Sequence, residues 1–198
     1  MHVGLPDGQK AVVNNVYLPP TASLRRRHIE EQSARDAVAD VVTAMPAASY
    51  TLTCGDFNTR TGTRAPCIHD LQLHRESQDT TVCPRAGWLV DLCELAGQHI
   101  INGSNQQAPA PFTSTNINGQ GRAVVDYILS NTASHVINYD AIVLEQYSDH
   151  VLLHMVLQVA VQPPRPPAAT PNTTAATPNA TAATTYRWDV GATVQNQV

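Results

Sequence analysis

The fold of this chain is decided by residues 50–62, which read Tyr-Thr-Leu-Thr-Cys-Gly-Asp-Phe-Asn-Thr-Arg-Thr-Gly. The first five are β-branched, aromatic or apolar, so they predict a short buried strand. Gly55 is expected to end that strand and let the backbone turn. Asp56 and Asn58 follow, and a carboxylate and a carboxamide at a strand end suit a hard cation and a phosphate oxygen. The alternative is a turn in which both side chains only satisfy nearby backbone groups.

The segment before this stretch predicts a strand and a helix. Residues 11–18 form a β-type run that Pro19-Pro20 ends. A helix is predicted to follow, with Thr21 or Ser23 as its cap and Pro46 as its end. Its apolar residues recur at helical spacing: Ala34, Ala37, Val38, Val41, Val42 and Met45. A helix between two apolar strands is the crossover of an α/β protein.

The segment after it predicts an irregular region, a second helix and several strands. Residues 59–85 are polar and lack metal-ligand spacing, so we expect His69 and His74 to be loop residues. Residues 86–96 form a helix with one apolar face, Trp88, Leu89, Leu92 and Leu95, and Gly97 stops it. Strands are predicted at 99–102, 112–115, 123–129, 141–144 and 150–161, with a hairpin turn at Asn118-Gly119.

Composition restricts the class of protein. The formal charge is −4, with a single lysine, which is less basic than a typical nucleic-acid binder. The one basic cluster, Arg25–Arg27, is interpreted as an exposed helix start rather than a binding patch. The four cysteines show no C-x-x-C pair, so neither a zinc site nor a disulfide framework is expected, and Cys54 and Cys93 are predicted to be core residues. No signal peptide or membrane span is visible, which favours an intracellular protein.

The composition changes at Gln162. Residues 162–185 are almost entirely Pro, Ala, Thr and Asn, which predicts a disordered linker. Residues 186–198 begin with Tyr-Arg-Trp and are interpreted as the start of a missing downstream segment. Residues 1–161 would then form the domain that carries the chemistry.

Four motifs stand at predicted strand ends, which collect at one edge of a sheet. They are N-V-Y-L-P at 15–19, G-D-F-N at 55–58, V-D-Y at 125–127 and S-D-H at 148–150. In this order and spacing they resemble the endonuclease/exonuclease/phosphatase (DNase I-like) family over about residues 11–161. The resemblance implies an α/β fold, a DNase I-like β-sandwich flanked by helices. It also implies hydrolysis of the phosphodiester backbone of DNA with Mg²⁺, or alternatively Mn²⁺.

The turn Gly55 to Gly62 is similar to that of endonuclease domains of non-LTR retrotransposons, as is Thr113 placed thirteen residues before Asp126. This similarity implies a DNA endonuclease joined to a reverse transcriptase module. Apurinic-site endonucleases share the same motifs. Two other functions stay open: a phosphatase or phosphodiesterase of the same fold acting on small phosphoesters, and a non-catalytic remnant.

The resemblance also implies roles for individual residues. Asp56 would position and activate the attacking water and share the metal ion. Asn58 would hold that water or the scissile phosphate, and Asp149 would help to bind the metal.

The remaining roles concern the phosphoryl group. Asp126 would hydrogen-bond His150, which fixes the tautomer of the imidazole and favours its charged form beside the phosphate. Tyr17 would steady the phosphate or the leaving oxygen through its hydroxyl. Thr113 would support Asp126 from the adjacent strand.

The chain departs from the family pattern at its N-terminal end. The family carries an Asn and a Glu, the latter a principal magnesium ligand, before N-x-Y-x-P. Here the only acid before Val13 is Asp7, in a Pro-Asp-Gly turn. The resemblance therefore implies a domain that lacks its N-terminal portion and has impaired activity.

Overall fold

The computed structural model describes residues 1–4, 10–44, 50–104, 109–115, 121–133, 136–143, 148–160 and 183–190. The helices and strands in chain order are β1 (His2–Gly4), β2 (Lys10–Tyr17), α1 (Thr21–Arg26), α2 (Glu31–Thr43), β3 (Tyr50–Asp56), β4 (Cys67–Ile68), β5 (Leu71–Gln72), α3 (Ala86–Ala96), β6 (His99–Ile100), β7 (Ser114–Thr115), β8 (Arg122–Ala123), β9 (Asp126–Ser130), β10 (Val136–Ile142), β11 (Leu152–Ala160) and β12 (Ala183–Val190). Within these ranges, none of the helices has the length and apolar character needed to cross a membrane.

A five-stranded sheet in the order β1-β2-β3-β9-β6 forms the centre of the molecule. β2 and β3 pair in parallel, and the other neighbours pair antiparallel. The chain between β2 and β3 contains α1 and α2, because parallel neighbours need a long connection. The predicted strand–helix–strand crossover is therefore confirmed.

The central sheet has a hydrophobic core on each face. On one face, Tyr127 and Leu129 of β9 share a buried cluster with residues of α2 and α3. On the other face, Ile128 joins Leu153 and Met155 of β11, in the three-stranded sheet β10-β11-β12. Successive residues of β9 thus pack alternately into the two cores. The helices, the five-stranded sheet and the three-stranded sheet therefore form three successive layers.

The predicted first helix is two helices. Thr21 and Ser23 lie inside α1 rather than capping a longer helix, and neither helix has a side-chain cap hydrogen bond. The chain breaks between them around His28, which has a left-handed backbone with φ 55°. On α2 the predicted apolar face is narrower than expected, because Val38 and Val42 are buried whereas Val41 is 48% exposed.

The second helix agrees with its prediction over residues 86–96, and Gly97 ends it with φ 64°. Leu95 is an exception because it is 75% exposed, and Cys93 is buried in its place. Cys54 is also buried, as predicted.

Three strand predictions need correction. The strand expected over 123–129 is divided between β8 and β9. Gly55 does not end the strand, since β3 continues through it to Asp56. A Cβ atom on Gly55 would lie 1.9 Å from the carbonyl oxygen of Val16, and φ is +144°, so glycine is required there by the close approach of β2. The strand expected at 141–144 is β10, which begins earlier, at Val136.

The tail is described only in part. Residues 161–182 lie outside the described residues, as does the predicted turn Asn118-Gly119 between the paired strands β7 and β8. Residues 183–185 of the predicted linker belong to β12, which pairs with β11 from Ala160↔Ala183 to Leu153↔Val190. The run Ala-Thr-Thr-Tyr-Arg-Trp-Asp-Val is rich in β-formers, which explains why the strand begins before Tyr186. The domain boundary at 162 and the interpretation of 186–198 stay predictions.

Candidate active site

Three of the predicted site residues lie abreast on neighbouring strands. Tyr17, the last residue of β2, is the register partner of Asp56 at the end of β3. Asp56 is in turn the partner of Asp126, the first residue of β9. Register partners point to the same face of a sheet. The parallel pairing of β2 with β3 and the antiparallel pairing of β3 with β9 therefore bring together residues that are 39 and 70 positions apart.

His150 reaches the same place from the segment before β11. It forms a bridge with Ser114, and the N–H of Val151 donates to the carbonyl oxygen of Thr113. The imidazole Nδ1 lies 2.9 Å from Oδ2 and 3.0 Å from Oδ1 of Asp126. This confirms the predicted contact between Asp126 and His150. Because a carboxylate can only accept here, Nδ1 is the donor and carries a proton.

The described residues contain one group of possible metal ligands at this edge. One ligand atom from each of Asp56, Asp126 and His150 lies within 4.8 Å of the others. Asp149 is exposed and stands outside this group, although its charge acts on His150. Tyr17 is 65% exposed beside the cluster. The structure thus brings four of the residues to one edge, while the metal-binding role of Asp149 stays a prediction.

Asn58 is tied to Asp56 by two contacts. Its backbone N–H donates to Oδ1 of Asp56 at 2.7 Å, and its side-chain Nδ2 donates to Oδ2 at 2.7 Å and to the carbonyl oxygen of Leu18 at 3.0 Å. Its φ of 44° is a left-handed conformation that asparagine tolerates. The local turn that the sequence left open as an alternative is therefore present. It also fixes the carboxylate of Asp56.

Thr113 supports Asp126 as expected from its position. It is fully buried, and its Oγ1 accepts the N–H groups of Val125 and Asp126, both at 3.0 Å. A second support, Asn102, has no signal in the sequence pattern. Its Nδ2 donates to the carbonyl oxygen of Asp126 and its Oδ1 accepts the N–H of Ile128, both at 2.9 Å. Asn102 bonds β9 at two backbone positions and so fixes the strand on which Asp126 begins.

An ion pair between the partly exposed Arg60 and the buried Asp79 was also missed. The Nε atom of Arg60 donates to Oδ2 of Asp79 at 2.7 Å and its Nη2 to Oδ1 at 2.6 Å. Asp79 also accepts the N–H of Val124 at 3.0 Å. Burial alone would raise the pKa of Asp79, but these hydrogen bonds outweigh it and lower the pKa. The pair connects the loop after Asn58 to the entry of β9, and an acid within an irregular polar stretch has no pattern that could reveal it.

The site raises the pKa values of both Asp56 and His150. Burial, together with the nearby charge of Asp126, raises the pKa of Asp56 from 3.8 to about 6. The hydrogen bond to Asp126 raises the pKa of His150 from 6.5 to about 9, although burial opposes the charged form. At neutral pH Asp56 is therefore mostly a carboxylate, with a pKa about one unit below the pH of the medium, and His150 is an imidazolium.

The donor set fits a hard divalent cation. Burial is the main cause of the raised pKa of Asp56, and repulsion from the nearby Asp126 adds to it, while His150 supplies a single positive charge to the group. Carboxylate oxygens are the ligands that Mg²⁺ and Mn²⁺ prefer. A cation beside Asp56 would relieve this repulsion.

Comparison with known proteins identifies the fold. No family model and no curated protein matches the sequence. Among solved structures, the 3′ phosphatase NExo from Neisseria, bound to a product DNA hairpin, is similar at a TM-score of 0.54 and 16% identity. The match covers 78% of this chain and 62% of that one. The 3′–5′ exonuclease NExo from Neisseria meningitidis is similar at a TM-score of 0.51 and 18% identity, over 77% of this chain and 62% of that one. The chain therefore spans less than two thirds of these proteins, and within that span it has the DNase I-like α/β fold that its four motifs predict.

Proposed function

We propose that this chain is the catalytic part of a metal-dependent phosphodiester hydrolase that acts on DNA. The observation that carries the proposal is the hydrogen bond of 2.9 Å between Asp126 and His150. This pair lies beside the carboxylate of Asp56. The fold supports it, since the similar structures are named as an exonuclease and as a phosphatase bound to DNA.

Asp56 is suited to activate a water molecule. A general base works best when its pKa lies near the working pH, and the pKa of Asp56 is about 6. Its two hydrogen bonds from Asn58 hold the carboxylate in a fixed orientation. Asp56 would therefore take a proton from the attacking water without first having to reorient.

His150 and Tyr17 are suited to stabilise the phosphoryl group. Because Nδ1 of His150 donates to Asp126, the Nε2–H on the other side of the ring is left to face a phosphoryl oxygen. An imidazolium there would stabilise the negative charge that develops in the transition state. The exposed hydroxyl of Tyr17, one strand away from Asp56, would donate to the phosphate or to the leaving oxygen.

Asp56 and Asp149 would hold the cation, Mg²⁺ or Mn²⁺. When bound, it would supply positive charge to the phosphoryl oxygens. The glutamate that the resemblance implies as a principal ligand has no counterpart before Val13. We therefore expect weak cation binding and low activity from the 198-residue chain.

The finer proposal is a DNA endonuclease domain of a retroelement-type protein, followed by a reverse transcriptase module. The Gly55–Gly62 stretch and the spacing from Thr113 to Asp126 support it. A second candidate is hydrolysis at a 3′ end, which the named activities of the similar structures favour. Either function would use the side chains of Asp56, Asp126 and His150.

Nicking of supercoiled plasmid and release of phosphate from a 3′-phosphorylated oligonucleotide test these proposals together, each with Mg²⁺ and with Mn²⁺. Replacing a general base or an electrostatic partner should cost about 10²-fold or more, so Asp56→Asn and His150→Ala should remove the activity. Asp91→Asn, which removes an exposed carboxylate on α3, is the matched control and should have no effect. Turnover of neither substrate at high protein concentration, or turnover that survives both substitutions, would reject the proposed function.

A further inference from the structure

We propose that a cavity beside Asn58 binds a second phosphate group of the substrate, adjacent to the scissile one. This inference rests on the proposed function for the identity of the ligand. The cavity has a volume of about 380 Å³ and lies where α1 and α2 meet the segment before α3. The lining residues that matter here are Arg25, Glu31, Arg35, Asn58, Cys83 and Arg85.

The cavity wall carries a surplus of positive charge. Three of these residues are arginines, and Glu31 is the single acid of the lining. Glu31 pairs with both Arg35 and Arg85, the latter with Nε at 2.9 Å. Burial alone would raise the pKa of Glu31, but hydrogen bonds from these arginines lower it, so Glu31 is ionised and two positive charges remain uncompensated. This local charge is opposite to the formal charge of −4 of the whole chain.

Two of the arginines have nitrogen atoms without a hydrogen-bond partner. The side chain of Arg85 is only 4% exposed, and its buried Nη2 has no acceptor. The buried Nε of Arg35 has none either. An unsatisfied buried donor on a charged group is costly and is rare in native structures. A phosphate in this cavity would place strong acceptors beside these two guanidinium groups.

The guanidinium groups are held in place before any ligand arrives. Nη1 of Arg85 donates to the carbonyl oxygen of Pro19 at 2.8 Å. The guanidinium of Arg35 lies 5.7 Å from the centre of the Trp88 ring. Groups that are already ordered lose less conformational entropy on binding. Arg25 is exposed at the rim and adds the third charge.

The position of the cavity connects it to the reaction. Asn58 lines the cavity and also donates to Asp56, so a single side chain separates the cavity from the proposed base. An anion bound there is a near neighbour of the scissile phosphate. Two sources have this chemistry: a phosphate monoester at a strand end and an internal phosphodiester of the backbone.

The test uses alkylation of Cys83, a half-buried thiol in the cavity wall. The full chain is treated with iodoacetamide in EDTA at constant ionic strength, with increasing inorganic phosphate. Phosphate should slow modification of Cys83 but not that of Cys67, an exposed thiol away from the cavity. A rate at Cys83 that phosphate leaves unchanged, or slows no more than it slows the rate at Cys67, would overturn the proposal.

Substitutions in one short basic run provide the matched comparison. Arg25, Arg26 and Arg27 are all exposed, but only Arg25 lines the cavity. Arg25→Gln should raise the phosphate concentration needed for half-protection about tenfold, which is the scale of one lost charge-assisted hydrogen bond. Arg26→Gln should leave it almost unchanged. Equal effects of both substitutions would show general charge screening in place of a site, and would also overturn the proposal.

Two further probes identify the source of the phosphate. A nucleoside monophosphate carries a terminal monoester, and a dinucleotide without terminal phosphates carries only an internal diester. Protection of Cys83 by one of them supports the site and names its ligand, whereas protection by neither contradicts it. Since no turnover is measured, a failure of the proposed hydrolysis would leave this protection intact, so the two failures can be told apart.

Discussion

Asp126→Asn should return the titration of His150 towards that of an ordinary histidine. The substitution keeps the shape of the side chain and removes its charge, and the backbone N–H of residue 126 can still donate to Thr113. The pKa of His150 is raised from 6.5 to about 9, with the hydrogen bond to Asp126 as the largest cause. Each pKa unit corresponds to about 1.4 kcal/mol, so the pair stabilises the imidazolium by at most about 3 kcal/mol.

The direction of the effect on stability follows from linkage. The pKa of His150 in the folded protein lies above its value in the unfolded chain. The pair therefore contributes its full stabilisation below pH 6.5, and this contribution is lost as the pH rises through about 9. Asp126→Asn should lower the free energy of unfolding most at pH 6, and the difference from wild type should shrink by pH 10.

The assay is an NMR titration of the His150 ring protons in EDTA, combined with urea unfolding at the two ends of the pH range. Asp91→Asn, an exposed acid on α3, is the control for loss of one negative charge. It should leave the His150 curve where wild type has it. A wild-type His150 that titrates near 6.5, or one that does not respond to Asp126→Asn, would refute the reasoning.

Three further substitutions test the architecture around the site. Thr113→Val removes a buried hydroxyl that accepts two backbone N–H groups, so urea unfolding should show a loss of about 2–4 kcal/mol that Thr113→Ser restores. Gly55→Ala places a Cβ atom 1.9 Å from the carbonyl oxygen of Val16, and we expect insoluble protein or a loss of more than about 4 kcal/mol; a soluble variant of normal stability would contradict the close approach of β2 and β3. Tyr17→Phe removes an exposed hydroxyl, so stability should change by less than about 0.5 kcal/mol. Its hydrolysis rate should nevertheless fall about tenfold, and an unchanged rate would remove Tyr17 from the proposed chemistry.

The convergence of the site was predictable because its residues stand at strand ends. Tyr17 and Asp56 end their strands and Asp126 begins its strand, and register places the three abreast. The sequence pattern predicted these strands, although it placed Asp126 inside a strand over 123–129 and Asp56 just after one. The contact between Asp126 and His150 followed from the resemblance carried by the motifs. No propensity could have supplied it, since the contact joins β9 to the segment before β11.

The supports of the site could not be predicted. Asn102 and the Arg60–Asp79 pair act through hydrogen bonds between distant segments, and their polar side chains follow no helical or strand period. The break between α1 and α2 was missed for a local reason. His28 adopts a left-handed backbone there without a glycine or proline to signal it.

In the proposed hydrolase, the charges of the site imply that DNA binding and DNA hydrolysis would depend on different groups. Three acidic residues, Asp56, Asp126 and Asp149, surround the single imidazolium of His150, so this edge of the sheet would repel a phosphodiester. A divalent cation at the proposed metal site would reverse that repulsion at the scissile phosphate. The arginines of the cavity beside Asn58 would attract the neighbouring phosphate whether or not the cation is bound. Chelation of the metal should therefore abolish hydrolysis while part of the affinity for DNA remains. That remaining affinity should be the part that Arg25→Gln removes.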